Sequence, residues 1–222
     1  MPLGDMPIPN GGDGDSIGKG CVLWLDSRYF TESFWWDISK YRNNGVVHGA
    51  KWKANSFYFD GSNDYIDCGS NSYLQFDDKI TIVAWIKPES ISRYPVIVLN
   101  GNNDWREGYV FYLRSQADNM LRLGVNTGTK LRYGTAGNID TEKWTYVAGS
   151  FDGSNIYLYI NNIKYTPTVN SADYTQNMDA TKVGYGLSVL DYFHGNIGML
   201  FIFHKVLSEQ EINILYNLTY RR

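Results

Sequence analysis

The sequence predicts an all-β fold: two packed antiparallel sheets with a short C-terminal helix. Three observations predict it. Many short apolar runs alternate with polar turns along the 222 residues, and helical periodicity is almost absent. Two segments, Ser56 to Asp67 and Trp144 to Gly153, each place an Asp-Gly turn after an aromatic and β-branched run. Asp there supplies a local side-chain hydrogen bond, and Gly the freedom to take positive φ. One stretch, Ser208-Glu209-Gln210-Glu211, has the form of a helical capping box.

The elements follow in order. Residues 1–19 hold Pro2, Pro7, Pro9 and the run Asn10-Gly11-Gly12-Asp13-Gly14-Asp15. This composition cannot bury a core, so it reads as a flexible arm or linker before a domain over 20–222. Cys21-Val22-Leu23-Trp24-Leu25 is a short apolar strand, and Asp37 to Gly45 is a polar loop ending in the turn Asn43-Asn44-Gly45. Further strands are expected over 46–48, 56–59, 64–67, 79–87, 95–99, 108–114, 119–125, 129–133, 143–150, 155–160, 181–185 and 193–204. In the run over 155–160, Ile156, Leu158 and Ile160 share one face while Tyr157 and Tyr159 share the other. Asn161-Asn162 then turns the chain toward Ile163-Lys164-Tyr165. After the capping box, Ile212, Leu215 and Tyr216 fall on one side of a helix that packs on the sandwich. A chain of this length can bury a core without staples.

Composition narrows the function. Net charge is −3, and only the terminal Arg221-Arg222 pair stands out as basic. Nucleic acid is therefore not an expected partner, because phosphate neutralisation needs clustered cations. No apolar run approaches membrane-spanning length, which argues against membrane insertion. Residues 1–20 lack the charged and apolar regions of a signal peptide. Cys21 and Cys68 both fall in strand-like segments, and two buried free thiols are the expected state. His48, His194 and His204 show no zinc spacing.

In this context several segments carry a family resemblance that runs from about Gly20 to Asn217. Asp37 to Gly45 resembles an early Asp–Ser–Asn–Gly loop, and Phe57 to Gly69 a strand pair of the form F-D-G-x-x-D-Y-I. Ile80-Thr81-Ile82-Val83-Ala84-Trp85-Ile86-Lys87-Pro88 is similar to a core strand ITISAWIKP. Trp144 to Asn162 resembles a W-x-x-V-A-G-x-x-D-G…L-Y-x-N-G hairpin, with Asn162 in place of its final Gly. Phe193 to Ile197 and Leu207 to Ile212 resemble a closing strand and helix. Together and in this order, they resemble the laminin-G-like, concanavalin A-like jelly-roll domains, the group that includes pentraxin-like modules. The resemblance implies a jelly-roll sandwich and says little about ligand. Where family members often carry an acidic residue in the closing strand, this chain has Gly198 followed by Met199, which weakens the expectation of a structural calcium ion there.

Candidate sites follow from residue chemistry. Calcium needs six to eight oxygens. Asn102, Asp104 and Glu107 are the candidate ligands in the segment Asn100 to Glu107, and Asp60 to Asp64 is a second acidic turn. Each holds so few carboxylates that an ordinary polar turn accounts for it. A glycan site needs aromatic platforms beside planar polar groups, because sugar C–H faces pack on rings while hydroxyls need partners. Asn102, Asp104, Trp105, Arg106, Tyr109 and Tyr112 form the leading candidate, and Tyr185, Asp191 and Tyr192 could share the same rim. Trp105, flanked by charges, is expected to be exposed, whereas Trp85 and Trp144 are expected in the core. No strand carries the paired carboxylates of a glycanase, and no Gly-x-Ser-x-Gly elbow occurs. The expected function is non-enzymatic recognition of a glycan or glycosylated surface, at an extracellular or virion surface. The alternative is an exterior component of an assembly, docked on capsid or similar proteins through residues 1–19; a glycanase ranks third.

Overall fold

The computed structural model describes residues 18–75, 78–101, 108–115, 119–127, 130–173, 179–188 and 191–219. The alternating runs form strands β1 (Cys21–Phe30), β2 (Phe34–Asp37), β3 (Gly45–His48), β4 (Lys51–Trp52), β5 (Phe57–Asp60), β6 (Tyr65–Asp67), β7 (Ile80–Ser90), β8 (Val96–Asn100) and β9 (Tyr109–Arg114). They continue as β10 (Met120–Asn126), β11 (Lys130–Ala136), β12 (Thr145–Phe151), β13 (Ile156–Ile160), β14 (Ile163–Tyr165), β15 (Asn170–Asp173), β16 (Thr181–Val183) and β17 (His194–Phe203), followed by helix α1 (Glu209–Thr219). The strands pair antiparallel throughout, in two layers. The first runs β1-β17-β7-β12-β13-β14, with β5 taking the place of β1 beside the first half of β17 and β4 beyond it. The second runs β2-β3-β6-β16-β8-β9-β10-β11-β15. A β1–β2 pairing at Leu25–Asp37 and Phe30–Trp35 joins the layers at one edge. This is a jelly-roll-like β-sandwich.

Alternation places the core. Ile82, Ala84 and Ile86 of β7, Leu200 and Ile202 of β17, and Val147 of β12 face Phe111 and Leu113 of β9 and Leu121 and Leu123 of β10 across the interior. The odd-numbered residues of β9 are all fully buried there, while Val110 and Tyr112 point to the opposite face. The outer face of the first layer is covered by α1. Ile212 and Leu215 pack on Val83, Trp85, Tyr146 and Phe201, the Tyr146 hydroxyl donates to the Ile212 carbonyl, and Tyr216 stacks on Trp85. The capping box forms as its spacing implies. The Glu211 amide donates to the Ser208 hydroxyl at 3.2 Å, and the Glu211 carboxylate accepts from the Ser208 amide at 2.7 Å.

Both Asp-Gly turns serve their own backbone. Asp60 accepts from the Ser62 amide and Asp152 from the amides of Ser154 and Asn155, while Gly61 and Gly153 sit at φ +77° and +98°. Some elements depart from the sequence expectation. β1 runs five residues past Leu25, because Ser27 to Phe30 continue along the layer-joining edge; β2, β4 and β15 are short strands that composition does not mark. Trp85 is buried as expected; Trp144 is only half-buried, against the α1 cluster. Cys21 and Cys68 are both buried and free. The arm expected over 1–19 lies outside the described residues up to Ile17. No helix among the described residues is long and apolar enough to cross a membrane.

Candidate functional site

The outer face of the second layer is the candidate site. The cross-strand row Asp67–Lys182–Leu99–Val110–Gly124–Tyr133 runs across β6, β16, β8, β9, β10 and β11. Beside it lie Tyr65 on β6, Tyr112 on β9 and Arg122 on β10, each one alternation along its strand. Val96, Leu99, Val110 and Tyr112 form a small apolar cluster on this face, with the half-buried rings of Tyr94 and Tyr185 packed against it. Around Tyr185 the rings chain together. Tyr65 meets it edge-on at 5.2 Å and Tyr192 at 5.4 Å, and His48 stacks on Tyr65 at 4.4 Å. Tyr94 meets Tyr112 edge-on at 6.0 Å.

Cations sit over these rings. The Lys182 ammonium lies 4.4 Å from the Tyr185 centroid, and the Arg122 guanidinium 4.9 Å from that of Tyr133. Arg122 also donates to the Tyr112 hydroxyl at 3.1 Å and to the Thr135 hydroxyl at 2.6 Å, which fixes its plane. Burial raises the phenols of Tyr65, Tyr112 and Tyr192 above the ordinary tyrosine value; a charge from Asp67 adds to the rise at Tyr65, and Arg122 opposes it at Tyr112. All three therefore stay protonated at neutral pH and can donate. The face offers ring faces, phenolic donors and fixed cations, a combination suited to sugar C–H patches and hydroxyls.

The structure brings together some of the sequence candidates and separates others. Tyr112, Tyr185 and Tyr192 share this face. Asp191 is 1% exposed; it accepts from the Ser188 hydroxyl at 2.6 Å and lies 3.9 Å from Arg93, so it braces the Tyr192 segment from within. Tyr109 does not belong to the face: it is fully buried in the core, where its hydroxyl meets that of Thr181 at 3.0 Å. Its position three residues from Tyr112 puts it on the opposite side of β9. Asn102, Asp104, Trp105, Arg106 and Glu107 lie outside the described residues. In the second acidic turn, Asp64 accepts the Asp60 amide at 3.0 Å, and both carboxylates serve the turn itself. Among the described residues no group of three or more His, Cys, Asp or Glu side chains is placed to hold a metal ion. Sequence reasoning missed Tyr65, Tyr94, Arg122, Tyr133 and Lys182. Each stands at an outward position of its segment, but nothing local says that these segments are neighbours.

A family model described as the concanavalin A-like lectin/glucanases superfamily matches residues 60–213. No curated protein matches the sequence. Among solved structures, the receptor binding domain of botulinum neurotoxin mosaic serotype C/D is similar at a TM-score of 0.68 and 18% identity, over 92% of this chain and 52% of that one. The binding domain of Paraclostridial Mosquitocidal Protein 1 is similar at 0.69 and 16%, over 91% of this chain and 53% of that one. The present chain thus spans about half the length of these domains. Domain 4 of AbnA, a GH43 extracellular arabinanase from Geobacillus stearothermophilus solved in complex with arabinotriose, is similar at 0.65 and 16%, over 88% of this chain and 97% of that one. At these identities the likeness is one of fold.

Proposed function

The chain belongs to the concanavalin A-like lectin/glucanases superfamily, and we propose that within it this protein is a non-enzymatic recognition module that binds a glycan or glycosylated surface. The observation that carries the reading is the tyrosine face. The rings of Tyr65 and Tyr192 are held edge to face around Tyr185, with Lys182 over Tyr185 and, further along the face, Arg122 over Tyr133. Rings already locked by packing lose little side-chain entropy when a sugar lands on them. Similar folds give precedent, since one is described in complex with arabinotriose and a botulinum type C toxin as entering cells through two ganglioside molecules.

A glycan array probed with the purified protein tests this. Binding is expected, and Tyr185→Ala should weaken it roughly tenfold or more, about 1.4 kcal/mol, measured on variant protein whose circular dichroism shows the native fold. Undiminished binding by Tyr185→Ala would remove the tyrosine face from the reading.

A further inference from the structure

The first layer ends at β4, a two-residue strand that pairs with β5 and with no other described strand. The Lys53 amide donates to the carbonyl of Ser56, next to β5, at 2.8 Å, so Lys53 turns its backbone groups toward β5. Trp52, one position back, therefore turns its N–H and C=O to the open edge, where no described strand meets them. The same alternation sorts the side chains. Trp52 and its partner Phe57 point to the inner side, Lys51 and its partner Tyr58 to the outer side. On the inner side a cleft of about 380 Å³ opens beside the edge, with Phe30, Ala50, Trp52 and Phe57 as its apolar walls. Trp52 is 41% exposed yet held in place: its indole N–H donates to the Ser27 carbonyl at 2.8 Å, and its ring lies flat on Phe30, 4.6 Å between centroids. An added strand completes such a shape, with main-chain bonds along the edge and alternate side chains in the cleft.

Residues 1–17 of this chain, outside the described part, carry a segment that matches this edge. Met6-Pro7-Ile8-Pro9 places proline at alternate positions. Proline has no N–H to give a neighbouring strand, so those positions belong on the solvent side of an edge. With Pro7 and Pro9 turned outward, Met6 and Ile8 direct their backbone groups to β4, and antiparallel pairing sets their side chains on the Trp52 side. Asp5 shares the parity of Pro7 and comes to the outer side, where Lys51 and Lys53 stand beside Tyr58. The charges are complementary, and the outward prolines stop any further strand from adding.

The arm reaches this edge more readily on another molecule than on its own. It leaves the fold at Gly18, whose carbonyl accepts from the Cys21 amide at the start of β1, whereas Phe30 at the cleft ends that ten-residue strand. At about 3.3 Å per residue the separation is roughly 30 Å. Ile8 stands ten positions before Gly18. A Gly-rich tether of that length has a root-mean-square span of about 17 Å, so docking within one molecule requires it almost fully drawn out.

We propose that the β4 edge and its cleft take residues 5–9 of a second copy of this chain as an added antiparallel strand, with Met6 and Ile8 seated against Trp52 and Asp5 beside Lys51. Exchange of arms in both directions closes a dimer.

Light scattering on the full chain over a range of concentrations tests it, with wild type, Ile8→Asp, Trp52→Ala and an equal mixture of these two variants. Wild type is expected above monomer mass and each variant at monomer mass. The mixture should rise above it again, because the intact arm of one variant finds the intact cleft of the other. Lys51→Glu should weaken association severalfold, and Asp5→Lys added to it should recover it; Lys51 is exposed, so this pair reads the contact even where Trp52→Ala fails to fold. Tyr185→Ala should leave the mass unchanged, which separates this edge from the tyrosine face. Overturning results are a wild type that is monomeric at every concentration, association that survives Ile8→Asp, or a mixture of folded variants that stays monomeric.

Discussion

At the residue scale, Asp37 shows what a single buried side chain does for this fold. Its carboxylate is fully buried and accepts from the Trp24 amide at 2.9 Å, the Ser39 amide at 2.9 Å, the Ser39 hydroxyl at 2.8 Å and the Asn43 amide at 2.7 Å. It thereby ties β1 to the loop that leads into β3. Removing it leaves several donors without partners, each costing on the order of 1–3 kcal/mol. Asp37→Ala should therefore lose about 3 kcal/mol or more in urea unfolding, and a loss under about 1 kcal/mol would show that the loop is held some other way. The sequence marks this segment as a polar turn from its Asn-Gly ending, but not that the Asp is its buried centre, because the Trp24 amide comes from another strand. Tyr109 and Tyr112 teach the converse. Their opposite parity on one strand was legible from spacing alone and rules out a shared face.

At the element scale, helix α1 was the most legible piece. Ser208 and Glu211 stand in a four-residue pattern whose hydrogen bonds are local, so no knowledge of the rest of the chain is needed to expect them. Ser208→Ala should cost about 1 kcal/mol, seen as a lower thermal midpoint by circular dichroism. The box also carries a pH dependence. Burial pushes the Glu211 carboxyl up, but the Lys205 ammonium and the Ser208 amide and hydroxyl outweigh it and hold the group below the ordinary glutamate value. A folded value below the unfolded one means stabilisation present above the unfolded value, about pH 4.3, and lost as pH falls through the folded value. The stability gap between wild type and Glu211→Gln should therefore be widest near neutrality and close in acid. Asp64 has the opposite sign: burial raises its carboxyl, so its contribution is present in acid and lost as pH rises through the raised value. The two variants Glu211→Gln and Asp64→Asn should tilt the pH–stability profile in opposite directions, and tilts of the same sign would contradict these assignments.

At the scale of the whole molecule, the thiols report on cooperative opening. Burial raises both Cys21 and Cys68 above the ordinary thiol value, and the nearby Asp37 carboxylate adds to the rise at each. Neither should react with a thiol reagent until the sandwich opens, and a reductant should leave the thermal midpoint unchanged; rapid reaction of either in native protein would contradict the buried state. The sandwich around them is built from strands far apart in the chain: β17 lies between β7 on one side and β5, then β1, on the other. The sequence alone determined the all-β class, the Asp-Gly turns, the capped helix and the parity of each strand, because those depend on residues within a few positions of one another. The tertiary structure alone decided which strands are neighbours, and so it gathered Tyr65, Tyr112, Tyr185 and Tyr192 onto one face and made the side of β9 that carries Tyr109 the core. Those outcomes rest on the pairing and packing of distant strands, and a local period of two cannot encode the order in which strands stand side by side.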